Sequence, residues 1–192
     1  ELLRTLRAMH ADGRVAIVGG LSRVAFNPSA TKVQIANVDG GELVAIIEIY
    51  DPASNSFADA GELSEPRFLH GAAAISKGRV VIAGGGLAAL TALQPGVIEN
   101  GAADTVEVYD AETKKVKTVA MAAWRLAPAV ANMDGDKVLI LGGTDPNLVV
   151  AEVFDPALND GDGGTNRYVT YESSIDGFLD QEATEPACQR AL

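Results

Sequence analysis

The sequence predicts an all-β fold assembled from repeated units, and two recurring features carry this prediction. A basic residue, a four-residue apolar run and a Gly-Gly doublet occur together three times, as GRVAIVGG (13–20), GRVVIAGG (78–85) and GDKVLILGG (135–143). An aromatic residue followed by Asp also occurs three times, at Tyr50, Tyr109 and Phe154. Val and Ile runs suit strands that are covered on both faces.

The spacing of these motifs indicates the architecture. The doublets end at Gly20, Gly85 and Gly143, which are 65 and 58 residues apart, whereas the gaps from doublet to aromatic are 30, 24 and 11 residues. Nearly all of the variation in length therefore lies in the loop after each doublet. A period of about 50 residues with four short strands per unit is typical of a β-propeller blade. We predict a propeller segment of about three four-stranded blades, with variable loops on one face.

The first blade is predicted at 1–59, with an inserted loop at 21–43. The Asp12-Gly13 pair favours a tight turn between two antiparallel strands, and Pro52 ends a later strand because proline lacks the N–H. Within the inserted loop, the alternating apolar residues at Lys32–Val38 are compatible with a short hairpin. The strands are expected at Leu6–Ala11, Arg14–Val18, from Val44 to Tyr50, and near Phe57.

The second blade is predicted at 60–121 and the third at 122–172, and 173–192 is a tail or the start of another blade. In the second blade, 60–69 is a connector and 86–104 a long loop. The small residues of the first strand suit a place where strands converge, such as an axis. The strands are expected at His70–Ser76, Arg79–Ala83, Thr105–Asp110, Lys115–Val119, Ala129–Met133, Val138–Leu141, Val149–Pro156 and Tyr168–Tyr171.

Composition limits the classes of partner. The net charge of −11 argues against a nucleic-acid partner, because phosphate binding needs a basic face. No window approaches the ~18 apolar residues of a membrane span. The single Cys188 excludes a disulfide within the chain, and leaves a free thiol or a bond to another segment.

The repeat pattern resembles that of the kelch family. The matching residues are the series from Arg67 through His70-Gly71-Ala72, the run from Gly78 to Gly85, and Val106-Glu107-Val108-Tyr109-Asp110. Phe57 and Val116 stand where the family usually has Trp, and in the third unit that place falls at Gly161, so the outer strand there is expected to be shifted. The resemblance covers about residues 6–171 and implies a propeller. Kelch propellers serve many functions, so the resemblance indicates the fold more strongly than the activity.

Three blades do not close a ring, since a propeller needs at least about four. Blades contact only their neighbours, so an isolated array leaves two apolar faces exposed. The chain starts at Glu1 without a signal peptide, inside one unit, and stops near the opening of another. We therefore expect a fragment of a longer protein, with assembly from several chains as the alternative.

Several conspicuous residues are given structural roles. The Gly-Gly doublets are expected to supply positive φ and close backbone approach. Glu48, Glu107 and Glu152 recur two residues before each aromatic, and pairing with Arg67 or Arg125 would satisfy their charge.

The sequence gives little support to a metal site. His10 and His70 are the only histidines, and we expect His70 to be packed within its blade. A copper-radical site like that of galactose oxidase needs two His, a Tyr and a Tyr–Cys crosslink, which this chain does not supply in converging positions. The acidic stretch 159–164 does not have the spacing of an EF-type calcium loop, and a solvated turn is favoured. We predict no catalytic, cofactor-binding or metal-binding residue.

Partner binding is predicted for the connectors and long loops. Trp124 and Arg125 lie in a connector, and Trp and Arg are enriched at binding hot spots. The opposing interpretation of Trp124 is a side chain wedged between blades. Arg23, Arg67 and the loops 21–43 and 86–104 are the other candidates.

The expected function is a non-catalytic kelch scaffold that binds a protein or a glycan through its variable loops. Such a protein is expected to be exported, at the cell surface or periplasmic, with the cytoplasm as the alternative. The second hypothesis is the propeller domain of an enzyme, either a galactose-oxidase-like carbohydrate oxidase or a sialic-acid-processing protein. Its catalytic residues would lie largely outside this chain.

Overall fold

The computed structural model describes residues 7–9, 13–21, 43–87, 101–143, 151–158 and 169–171. The described residues form twelve β-strands, β1 to β12 in chain order, and single turns of 3₁₀ helix at Asp134–Asp136 and Pro156–Leu158. The strands make three four-stranded antiparallel sheets, and each sheet pairs its strands in chain order. The predicted all-β propeller segment of three four-stranded units is thus confirmed.

Sheet 1 consists of β1 (Arg7–Met9), β2 (Val15–Leu21), β3 (Leu43–Asp51) and β4 (Ser56–Glu62). The predicted blade boundary at residue 59 is too early, because β4 continues to Glu62. A shift in the β3–β4 register lets Gly61 pair with Ile47, and the Asp59 carboxylate accepts a hydrogen bond from the Gly61 N–H at 2.9 Å. Gly61 has φ +108°, so a bulge there extends the strand past the expected turn. The hairpin expected at Lys32–Val38 lies outside the described residues.

Sheet 2 consists of β5 (Gly71–Ile75), β6 (Arg79–Ala83), β7 (Thr105–Asp110) and β8 (Lys115–Ala120). Strands β6 and β7 have the predicted bounds. Sheet 3 consists of β9 (Ala129–Asn132), β10 (Val138–Leu141), β11 (Ala151–Phe154) and β12 (Val169–Tyr171). Strand β12 pairs with β11 well beyond Gly161, which confirms that the outer strand of the third unit is shifted.

The register shows that the three sheets are equivalent. In each sheet the glutamate of the third strand lies directly opposite an isoleucine of the second strand. These pairs are Ile17 with Glu48, Ile82 with Glu107, and Ile140 with Glu152. Directly opposed residues share a face of the sheet, so we call the face that carries these pairs the leading face and the other the trailing face.

The core lies between the sheets. The trailing face of sheet 1 packs against the leading face of sheet 2 through Ala16, Val18, Ile47, Ala60, Leu63, Val80, Ile82 and Tyr109. The trailing face of sheet 2 packs against sheet 3 in the same way, through Ala73, Ile75, Val81, Ala83, Val106, Val119, Met121, Val138, Ile140 and Phe154. Sheet 2 is therefore apolar on both faces, which explains the unbroken Val80–Ala83 run.

The first strands of the sheets lie next to one another, β1 beside β5 and β5 beside β9. A Cβ atom on Gly71 would overlap the side chain of Val130 in β9. This close approach explains why the first strand of the second unit is built from glycine and alanine.

The two ends of the sheets differ. The Gly-Gly doublets and the connectors between sheets lie at one end, which we call the doublet end. The short turns between paired strands, such as 52–55 and 111–114, lie at the opposite end, the turn end. At the turn end Asp136 bridges sheets 2 and 3, because its carboxylate accepts from the Ser76 N–H at 2.8 Å and pairs with Arg79 at 3.2 Å. Hydrogen bonds from the Ser76 hydroxyl and amide hold the pKa of Asp136 below its ordinary value.

Candidate functional site

The connectors between sheets form the candidate site. Residues 63–70 join β4 to β5 and residues 121–128 join β8 to β9, both at the doublet end. Leu69 and Ala127 occupy equivalent places and both have φ +52°. The Ala127 N–H donates to the Leu69 carbonyl at 2.8 Å, so the two connectors are bonded to each other.

The side chain of Arg67, in the first connector, is buried against sheet 2. Its Nη2 donates to Glu107 Oε1 and, at 3.2 Å, to Thr105 Oγ1, while its Nη1 donates to the Gly84 carbonyl at 3.0 Å. The second carboxylate oxygen of Glu107 accepts from the Ser64 N–H at 2.7 Å. Arg67 and Glu107 are both fully buried. Burial lowers the pKa of Arg67, and the charge of Glu107 opposes that shift.

Arg125 of the second connector repeats this arrangement in sheet 3. Its Nε and Nη2 donate to Glu152 Oε1 at 3.0 and 2.8 Å, and its Nη1 donates to the Gly142 carbonyl at 2.6 Å. The Ala122 N–H donates to Glu152 Oε2 at 2.9 Å. Both carboxylates thus receive a guanidinium and a backbone N–H, which meets the requirement that a buried charge be paired.

The doublets connect each arginine to the preceding sheet. The Gly20 N–H donates to the Arg67 carbonyl and the Gly85 N–H to the Arg125 carbonyl, each at 2.8 Å. A Cβ on Gly84 would lie 2.5 Å from the Arg125 carbonyl oxygen, and Gly84 has φ +63°. The expectation of positive φ and close approach is confirmed.

This placement corrects the expectation that Arg67 and Arg125 contact a partner. Both side chains face the protein interior and are occupied by hydrogen bonds there. The other interpretation of the sequence, in which these arginines pair with the repeated glutamates, is confirmed for Glu107 and Glu152. The backbone partners could not be predicted from the sequence. The N–H groups of Ser64 and Ala122 and the carbonyls of the glycines belong to the main chain, which is the same for nearly every residue type.

Trp124 lies beside Arg125 in the second connector and is partly exposed. Its partner-binding role stays a prediction. Arg23 lies outside the described residues, as do most of the two long loops.

The base of the second long loop is described. The Leu87 N–H donates to the Gly101 carbonyl and the Ala103 N–H to the Gly85 carbonyl, both at 2.7 Å. Gly86 forms bridges with Phe68 and with Ala102. The chain therefore leaves and re-enters the doublet end between backbone bonds that fix both points of attachment.

His70 is fully buried, as expected for a packed residue; its ring lies close to Gly19, and its Cβ and backbone N lie close to Gly85. His10 lies outside the described residues. It follows β1 in sequence whereas His70 precedes β5, so the two histidines do not occupy equivalent places in the repeat. In the described ranges no group of three or more His, Cys, Asp or Glu side chains is placed to hold a metal ion.

A cleft of about 460 Å³ opens between β8 and sheet 3. Four basic and two acidic side chains line it, among them Lys115, Lys117 and Asp110. The cleft includes the turn-end residues Lys77 and Arg79, so it lies away from the connectors.

Comparison with models of known protein families gives no match, and comparison with curated proteins gives no significant match. Among the residues that the structure describes, no helix has the length and hydrophobicity of a membrane-spanning segment.

Proposed function

We propose that this chain is a kelch-type scaffold without catalytic activity, which binds a protein or a glycan through the doublet end. The observation that carries the proposal is the position of the three variable insertions. Each insertion begins directly after a doublet, at the end of the sheets where the connectors lie. Loops held on a rigid framework are where binding residues concentrate.

The backbone bonds of the doublet end support this role. The connectors bond to each other and to the doublets, and each buried arginine contacts two sheets. A fixed platform lowers the entropy that a binding loop loses on association. Trp124 is the residue of this platform that we assign to the partner, because a partly exposed indole offers both an apolar surface and an N–H donor.

The carboxylates at this end support a structural role over a catalytic one. Glu107 and Glu152 recur in successive units, and both oxygens of each accept hydrogen bonds from within the protein. A general acid or base needs an oxygen within reach of the substrate proton. We also propose an exported, cell-surface or periplasmic location, with the cytoplasm as the alternative.

Binding of the purified chain to arrays of defined oligosaccharides and of immobilised proteins tests the proposal. We expect specific binding that Trp124→Ala weakens at least about tenfold, since truncation of a hot-spot Trp costs more than about 1.4 kcal/mol. Met133→Ala at the turn end is the matched control and should bind like the wild type.

Activity assays of the same protein distinguish the enzyme hypothesis from the scaffold hypothesis. Oxidation of galactose-containing sugars by the copper-loaded chain, or release of sialic acid from a glycoprotein, would contradict a non-catalytic scaffold. Equal loss of binding in the Trp124 and Met133 variants would contradict the assignment of the doublet end.

A further inference from the structure

Equivalent positions in the three sheets differ in burial according to the side on which a neighbouring sheet stands. On the leading face, Tyr109 of sheet 2 and Phe154 of sheet 3 are fully covered, and Tyr50 at the same place in sheet 1 is only partly covered. The same holds for Ile82 and Ile140 against Ile17. The leading face of sheet 1 therefore has the composition of a buried face without the burial.

The trailing face shows the opposite gradient. Val18 in sheet 1 and Ala83 in sheet 2 are fully buried, whereas Leu141 at the same place in sheet 3 is 36% exposed. Leu139 next to it is partly exposed, although its counterpart Val81 is fully buried.

The exposed large apolar side chains lie mainly on these two faces. Among the described residues they are Ile46 at 45%, Phe57 at 59%, Met133 at 41% and Leu141 at 36% exposure. Ile46 and Phe57 belong to the leading face of sheet 1, and Phe57 packs on Tyr50 with ring centroids 4.9 Å apart. Val116, the counterpart of Phe57 in sheet 2, packs against sheet 1. One further sheet packed against Phe57 would bury this side chain in the same manner.

We propose that, of the two ways to complete the ring, assembly from several chains applies to these 192 residues. The leading face of sheet 1 binds the trailing face of sheet 3 of a second copy, and two copies close into a ring of six sheets. The two internal interfaces already show the required fit, since each joins a trailing face to a leading face through the same repeat positions. The two faces that no described sheet covers are the complementary halves of one more interface of this kind.

The number of copies follows from closure. A contact between two different faces of identical chains forms either a closed ring or an open filament. Two copies supply six sheets, which lies within the four to eight blades of closed propellers. In this arrangement both copies are equivalent, and each contributes one leading and one trailing face. The leading face would receive aliphatic side chains, as it does inside the chain, and Glu48 would not be buried against another Glu48.

Sedimentation equilibrium of the 192-residue chain tests the proposal, with Phe57→Lys on one face and Leu141→Lys on the other. The wild type should have twice the chain mass of 19.9 kDa. Each variant should raise the dissociation constant at least about 30-fold, as expected for a buried anchor residue. Ala53→Lys in the turn 52–55 is the control and should leave the constant unchanged, because Ala53 is exposed and its counterpart Glu112 in sheet 2 stays exposed beside a neighbouring sheet. Both altered side chains are exposed, and circular dichroism checks that the variants keep their strands.

Mixing the two variants tests the orientation. A Phe57→Lys chain keeps its trailing face and a Leu141→Lys chain keeps its leading face, so the two should associate with each other more tightly than either does with itself. A monomeric wild type would overturn the proposal, and assemblies larger than two copies would overturn the closed ring. An unaffected Leu141→Lys variant, or mixed pairs no tighter than self pairs, would overturn the pairing of leading with trailing faces.

Discussion

At the scale of single residues, two buried arginines hold the doublet end together. Arg67 and Arg125 each pair with the glutamate of the following sheet and donate to the first glycine of its doublet, while their own carbonyls accept from the doublet of the preceding sheet. Each residue thereby satisfies a buried carboxylate and joins two sheets. A lysine would not reproduce this geometry, because only the planar guanidinium offers several donors in fixed directions.

Replacing Arg125 by methionine tests this role. Arg125→Met leaves Glu152 buried without its counter-charge, which should lower the free energy of unfolding by about 3–5 kcal/mol in urea titration. Arg79→Met removes a partly exposed pair with Asp136 and should cost about 1 kcal/mol or less. Equal losses in the two variants would show that Arg125 does not carry the buried pair.

The sequence predicted part of this network. Repetition of the glutamate before each aromatic separated a structural carboxylate from a catalytic one, and the two arginines at the connectors were the available cations. The same Arg residues were also expected to bind a partner, which their burial corrects. Residue type indicates what an arginine can bind but not whether its side chain points inward. That direction depends on the connector backbone, where Leu69 and Ala127 adopt positive φ without being glycine.

At the scale of the strand and its doublet, glycine is required by a backbone neighbour as well as by its own conformation. Gly84 has φ +63° and faces the Arg125 carbonyl at close range. Gly135 has φ +72°, and a Cβ atom added to it would meet no other part of the described chain within 4 Å. The two glycines therefore separate the cost of the backbone conformation from the cost of the contact.

Alanine at these two positions gives a matched pair. Gly135→Ala should lose about 1–2 kcal/mol from the positive φ alone. Gly84→Ala should lose a further 1–3 kcal/mol, about the cost of overpacking, because its Cβ would displace the Arg125 backbone. Thermal or urea unfolding of both variants measures the difference, and equal losses would contradict the close approach.

Strand positions were the most predictable elements. Strands β6, β7 and β10 have their predicted bounds because β-branched runs between turn residues define both ends. The end of β4 was missed, since a glycine that usually ends a strand here forms a bulge within it. The bridge from Asp136 to Ser76 and Arg79 was also missed, because it depends on how two sheets pack.

At the scale of the whole molecule, the sheets form an ordered stack in which only sheet 2 has a described neighbour on both faces. The equal registers of the three glutamates show that the repeat in sequence is also a repeat in structure. Function cannot be predicted from the sequence to the same degree. The repeated residues pack and pair within the stack of sheets. The residues that distinguish one blade from another lie in loops of unequal length.

Hydrogen exchange measured strand by strand tests the stacked arrangement most directly. In the Phe57→Lys variant, which keeps the two internal interfaces, we expect the amides of β6 and β7 to exchange most slowly, because both faces of these strands are covered. The amides of β2, β3, β10 and β11 should exchange faster, since each of these strands has one face that no described sheet covers. Exchange in β6 and β7 as fast as in those four strands would contradict the face-to-face stack.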